Sequence, residues 1–209
     1  MPRDVILAAV ERYYTGKFDE HGASARGVDW NSAESQELRF EQLAHLFRHE
    51  QGPFSLNDLG CGYGALAAFL EDRGFDVSYT GYELSRTMLE HAQTAFRGRE
   101  RVRFRQGTTL TPAAYSVASG VFNVRLGFSE DEWRGYVDET IDELAGASLK
   151  GFAFNLLTSY SDEDHKRPDL YYADPCALFD SCKNLYSRDV ALLHDYGLWE
   201  FTILVRLQQ

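Results

Sequence analysis

The segment Asp58-Leu59-Gly60-Cys61-Gly62-Tyr63-Gly64 sets a carboxylate and three glycines at alternate positions. Glycine accepts backbone conformations denied to residues with a Cβ, and it lets a ligand touch the main chain. An apolar run ends at Leu59 and a helical pattern begins at Ala65, so the first amides of that helix point into the gap. Unpaired amides and the helix dipole together favour a carboxylate or a phosphate there. Asp58, at the end of the strand, attracts an ammonium. Both demands are met by a ligand that carries an amino and a carboxylate group.

Glu83 closes the next apolar run, Gly81-Tyr82-Glu83, about twenty residues beyond the glycines, where an acid accepts both hydroxyls of a ribose. An amino-acid end and a ribose together indicate a molecule like S-adenosylmethionine. Gly60-x-Gly62-x-x-Ala65 also satisfies the dinucleotide fingerprint in its permissive form, which leaves an NAD-dependent oxidoreductase as an alternative. Against it, a dinucleotide fold normally places an apolar residue where Asp58 stands, and a carboxylate there opposes a pyrophosphate.

The elements that position these groups follow from periodicity. Leu56–Leu59 predicts a short buried strand and Ala65–Asp72 a helix stopped by Gly74. Phe75–Glu83 predicts a second strand with Phe75, Val77 and Tyr79 on one face. Ser85 is the expected N-cap of a helix whose apolar face is Met88, Leu89, Ala92, Ala95 and Phe96. Val102–Arg105 is a third strand and Tyr115–Phe122 contains a fourth, joined by a stretch too short for a full crossover helix. Ser129 and Glu132 form a capping box that opens a helix through Trp133, Val137, Ile141 and Leu144. Phe152–Leu157 is a fifth, buried strand, and a helix follows around Ala177–Leu185. Val190–Asp195 and Leu198–Leu207 are so close that they must pair as an antiparallel hairpin.

From about Pro53 to Leu207 the chain resembles the class I S-adenosylmethionine-dependent methyltransferases, on Asp58, the glycines, Glu83 and the terminal hairpin. The resemblance implies an α/β, Rossmann-like, mostly parallel seven-stranded sheet of order 3-2-1-4-5-7-6, with strand 7 antiparallel and helices on both faces. It implies that Asp58 and the backbone of Gly60, Cys61 and Gly62 hold the methionyl end, and that Glu83 binds the ribose. Gly64, Leu84 and Ser119 complete the expected cofactor contacts. Many members carry an acid after the third strand that bonds the adenine amine; here Gly107-Thr108-Thr109 stands instead, so Thr108 or a backbone amide takes that contact. No metal is expected.

Methyl transfer from a sulfonium is an in-line displacement that needs a positioned acceptor and, for acceptors of high pKa, a base. Asn123, just past the fourth strand, suits an acceptor contact or a plain turn. Tyr171, Tyr172 and Asp174 fall on the ligand-binding end of an open sheet, where the tyrosines serve as substrate contacts or as a hydrophobic lid. His165 is a conceivable base within a charged run of a solvated kind, and His194-Asp195 reads as a structural hydrogen-bonded pair. Pro175-Cys176 reads as a helix start, with a nucleophilic cysteine the rarer alternative. Residues 1–50 lie outside the parallel pattern and form an expected helical cover over the 51–209 core, the whole making a single 1–209 domain. Leu38, Leu43, Leu46 and Phe47 of the cover face the core. Tyr13, Tyr14, His21, Trp30, Gln36 and Arg39 are candidates to close over the cofactor, or plain packing.

The chain has 209 residues, 44% of them hydrophobic, with 21 Lys plus Arg against 32 Asp plus Glu and a net charge of −11. That charge repels a polyanion, and the one basic run, Arg97 to Arg105, reads as a charged helix end entering a strand. No apolar run is long enough to span a bilayer, and Cys61, Cys176 and Cys182 make neither a disulfide framework nor a metal spacing. The expected protein is a cytoplasmic methyltransferase acting on O or N of a small molecule, with no nucleic-acid or membrane partner. Its alternatives are a catalytically silent S-adenosylmethionine-binding interaction domain and a protein methyltransferase.

Overall fold

Parallel strands buried on both faces need continuous apolar runs, and the two central strands have them: β1 (Phe54–Leu59) and β4 (Ala113–Ala118) are almost wholly buried. The structure is a computed structural model that describes residues 3–208. Beside these strands lie β2 (Val77–Glu83), β3 (Val102–Gln106) and β5 (Ser148–Thr158). A two-residue strand, β6 (Tyr172–Ala173), and the hairpin β7 (Asp189–Leu193) and β8 (Glu200–Arg206) complete the sheet.

The order is β3-β2-β1-β4-β5-β8-β7, with β8 antiparallel to both neighbours and β6 paired in parallel beside β5. This is the expected seven-strand order with one short addition. Tyr172–Ala173 is too short to carry a period, so no sequence pattern announces it.

Alternation along the strands builds two cores. Phe152, Phe154, Phe201, Ile203 and Val205 point to one face, which α1 (Arg3–His21), α5 (Glu130–Gly146) and α6 (Pro175–Leu185) cover. Ala153, Leu204, Phe54 and Leu56 point to the other, beneath α2 (Ala33–Ala44) and α3 (Ala65–Asp72). The helix α4 (Arg86–Ala95) lies along β3 and α1. Leu43, Leu46 and Phe47 are buried as expected, whereas Leu38 is only partly covered. Among the described residues, no helix is long and apolar enough to cross a membrane.

Caps set the helix starts. Ser129 and Glu132 bond reciprocally at α5, and Ser32 and Ser35 do the same at α2. Asp174 accepts the amides of Cys176 and Ala177, so Pro175 opens α6 two residues before the expected start. Ser85 departs from expectation: it stands at the N-cap of α4, but its hydroxyl accepts from Thr15 at 2.7 Å rather than from the helix. Strand β4 stops at Ala118, before Phe122, because Gly120 turns the chain at φ +71°.

Arg39 of α2 and Glu200 of β8 form a buried bidentate ion pair at 2.7 and 2.6 Å, which fastens α2 to the sheet. Arg39→Met leaves the Glu200 carboxylate buried without its cation. We expect a loss of about 3–5 kcal/mol in urea unfolding, most of it recovered when Glu200→Leu is added. A loss no larger than that of an exposed pair would contradict this account of the tie.

Candidate functional site

Gly60, Gly62 and Gly64 take φ of +72°, +56° and +90°, so the turn leaving β1 is left-handed at each glycine. A Cβ on Gly60 would meet Val121 at 2.7 Å and one on Gly64 would meet Phe96 at 2.9 Å. Main-chain bonds stitch this turn to the end of β2: the amides of Gly60 and Cys61 donate to the Tyr82 carbonyl at 2.8 and 3.1 Å. Glu83, 7% exposed, accepts the Gly62 amide on one oxygen at 2.9 Å and the Ser85 amide on the other at 2.8 Å. Register explains the proximity, since Leu59 pairs with Tyr82 across the parallel ladder.

The turn borders a cavity. Asp58, Gly60, Cys61 and Gly62 line it from β1, Glu83 and Leu84 from β2, Thr108 after β3 and Ser119 after β4. Residues thus converge from four strand ends, as the topology of an open α/β sheet requires. Gly64 is not in the lining; it caps α3 against Phe96 and Phe104. Arg39 is not in it either, because Glu200 and the Ser35 carbonyl hold its guanidinium and Trp30 stacks over it at 3.8 Å.

The cover supplies Tyr14, Trp30 and Gln36 to this cavity, while Tyr13 bonds Asp29 and His21 lies outside. Sequence reasoning missed Leu7, Val10 and Glu11 of α1 and Tyr136 of α5, and it passed over Gly120. A Cβ on Gly120 would stand 2.3 Å from the Trp30 ring, so this glycine exists to admit the indole. A glycine directly after Ser119, past the end of a strand, is the local signal that could have found it.

The cavity is acidic. Asp58, Glu83 and Glu11 line it, and the lone cation in the lining, Arg3, is bound by Glu143. Burial pushes the Asp58 carboxyl up to about 7, opposed by the hydroxyl that Tyr79 donates to it. Burial also raises Glu83, opposed by the Ser85 and Gly62 amides. Buried acids without cations mark a place for a positively charged ligand.

A second cavity shares Tyr14, Val28, Trp30 and Gly120 with the first. Asn123, His165 and Tyr172 all line it, together with Arg39 and Glu200. Asn123 is buried; its carbonyl accepts the Leu157 amide at 3.2 Å and its amide donates to Glu200 at 3.4 Å. His165 is exposed with Asp164 at 3.2 Å, and the Tyr172 hydroxyl accepts the Arg167 amide at 3.0 Å. Tyr171 instead belongs to the core. The His194 ring packs near Phe201 and Tyr160 in place of the pairing with Asp195 that the sequence suggested. In the basic run, Arg101 pairs with Asp76 and Arg99 with Glu71, as a charged helix end would.

Asp58 titrates at about 7 in the folded chain and at about 3.9 when unfolded. Between those values the folded state holds the proton more tightly, so its contribution to stability is present below the unfolded pKa and is lost as pH rises through about 7. We expect Asp58→Asn to flatten that fall, read as urea midpoints across this range. An unchanged slope in the variant would assign the titration to another group.

Residues 57–144 match the Methyltransferase domain family. The chain is 57% identical over 155 residues to Rv1506c of Mycobacterium tuberculosis, which bears the name of a methyltransferase; the match covers 74% of this chain and 93% of that protein. Among solved structures, the fold resembles magnesium protoporphyrin IX methyltransferase from Synechocystis PCC 6803 with bound S-adenosylmethionine. There the TM-score is 0.65 at 13% identity, covering 95% of this chain and 97% of that one. It also resembles the [4+2]-cyclase SpnF, with a TM-score of 0.56 at 17% identity, covering 80% of this chain and 62% of that one. Two such different reactions on one architecture mean that fold alone does not name the chemistry. The 57% identical relative shows the family: the chain belongs to the S-adenosylmethionine-dependent methyltransferases of Rossmann-like fold.

Proposed function

We propose that this protein transfers a methyl group from S-adenosylmethionine to an oxygen or nitrogen atom of a small molecule held in the second cavity. The observation that carries the reading is the pairing of an acidic chamber with a second chamber across a shared wall at Gly120. S-adenosylmethionine, when bound, supplies a methyl carbon made electrophilic by its sulfonium. Its sulfonium, ammonium and carboxylate sum to one positive charge, which suits a lining of Asp58, Glu83 and Glu11.

Each Glu83 oxygen spends one lone pair on a main-chain amide and keeps another, enough to accept one ribose hydroxyl apiece. Asp58 and the glycine turn would hold the methionyl end. Leu84, Thr108 and Ser119 would enclose the nucleoside. Val28, Trp30 and Tyr14 line both chambers at their junction. Burial holds the Tyr14 phenol well above its ordinary pKa, so it stays protonated, and it donates to the Gly120 carbonyl at 3.4 Å.

Placement alone carries much of such a displacement. For a hydroxyl acceptor, His165 is the lining group suited to receive the proton. Three free cysteines and a net charge of −11 fit a reducing cytoplasm and a partner other than nucleic acid.

Calorimetric titration with S-adenosylhomocysteine, beside NAD, tests the cofactor, and release of S-adenosylhomocysteine in the presence of candidate acceptors tests the transfer. We expect Glu83→Ala to weaken S-adenosylhomocysteine binding by about 2 kcal/mol, the loss of charge-assisted hydrogen bonds. Circular dichroism of the variant confirms the fold. An unchanged dissociation constant would remove Glu83 from the site.

A further inference from the structure

Every charged side chain that lines the second cavity already has a partner of opposite sign. Glu200 is clamped by Arg39, and Lys17 sits 2.9 Å from Asp29. Asp169 engages Arg167. The contrast with the first cavity, where three acids lack a cation, is complete. A chamber without surplus charge has nothing to offset the desolvation of an ionic acceptor.

What remains available there is hydrogen bonding of both senses. Arg39 has five N–H groups and uses three, on Glu200 twice and on Ser35. Glu200 accepts three bonds and has room for a fourth, while Asn123 keeps one N–H. A hydroxyl donates and accepts, so it suits this mixture better than a group of a single sense. Between these groups stand Trp30, Trp199 and Leu170, flat or apolar walls that favour the face of a ring.

We propose that the second cavity takes an uncharged ring compound carrying several hydroxyls, and that one of those hydroxyls is the methyl acceptor. The proposal rests on the methyl-transfer reading and narrows its acceptor to oxygen. The acceptor oxygen gains the methyl carbon as the carbon–sulfur bond breaks. The sulfur keeps the bonding electron pair and becomes a neutral thioether, and the hydroxyl proton passes to His165 or to solvent.

The full chain, saturated with S-adenosylhomocysteine, is titrated with three probes that share one ring: p-nitrophenyl glucoside, the matching glucuronide and the matching 2-amino sugar. The glucoside is expected to bind at least about tenfold more tightly than either charged probe. Asp169→Asn, which strips Arg167 of its partner at the exposed rim, is expected to raise glucuronide affinity several-fold. A charged probe that binds the unaltered protein as tightly as the glucoside overturns the proposal. Binding of none at millimolar concentration, with S-adenosylhomocysteine still bound, overturns it too and leaves the methyl-transfer reading standing. Failure to bind S-adenosylhomocysteine at all removes that reading, and the proposal with it.

Discussion

The Glu83 carboxylate is the constraint around which the site is arranged. It reaches from the end of β2 to the Gly62 amide in the turn after β1 and to the Ser85 amide at the head of α4. One buried acid thus fixes two strand ends and the start of a helix. Its burial is costly, and main-chain amides offset that cost because they are rigid donors that need no side-chain ordering. The glycines complete the constraint, since a Cβ at Gly60 or Gly64 would strike Val121 or Phe96 in a backbone region already unfavourable to side chains.

From that arrangement follows a division of charge. Asp58 and Glu83 are buried without a cation, which makes the first chamber a site that a cationic ligand would stabilise. The second chamber, a few residues away across Trp30 and Gly120, is balanced pair by pair. Arg39 belongs to this balance rather than to the cofactor chamber. By clamping Glu200 it ties α2 to β8 at the wall of the second chamber.

What could be read from the sequence was what local chemistry encodes. Asp58, the glycines and Glu83 lie in two short segments whose residue types have a direct physical meaning. The Ser129–Glu132 capping box and the hairpin were legible for the same reason, and the strand order followed once a family resemblance was recognised. The illegible features depend on contacts far apart in the chain. Arg39 and Glu200 are separated by 161 positions, and nothing near Arg39 distinguishes a guanidinium aimed at a cofactor from one aimed at a buried acid. Leu7 and Val10, which wall the first chamber from α1, look like any apolar helix face. Ser85 has the right type for a cap, yet Thr15, distant in sequence, claims its hydroxyl.

The most direct measurement is a crystal structure of the chain grown with S-adenosylhomocysteine. We expect the ribose hydroxyls on Glu83, the amino-acid end against Asp58 and the Gly60–Gly62 backbone, and the sulfur directed toward Gly120 and the second chamber. A ligand lodged elsewhere, or a first chamber that stays empty at saturating ligand, would contradict the reading of Glu83 as the organising acid of a cofactor site.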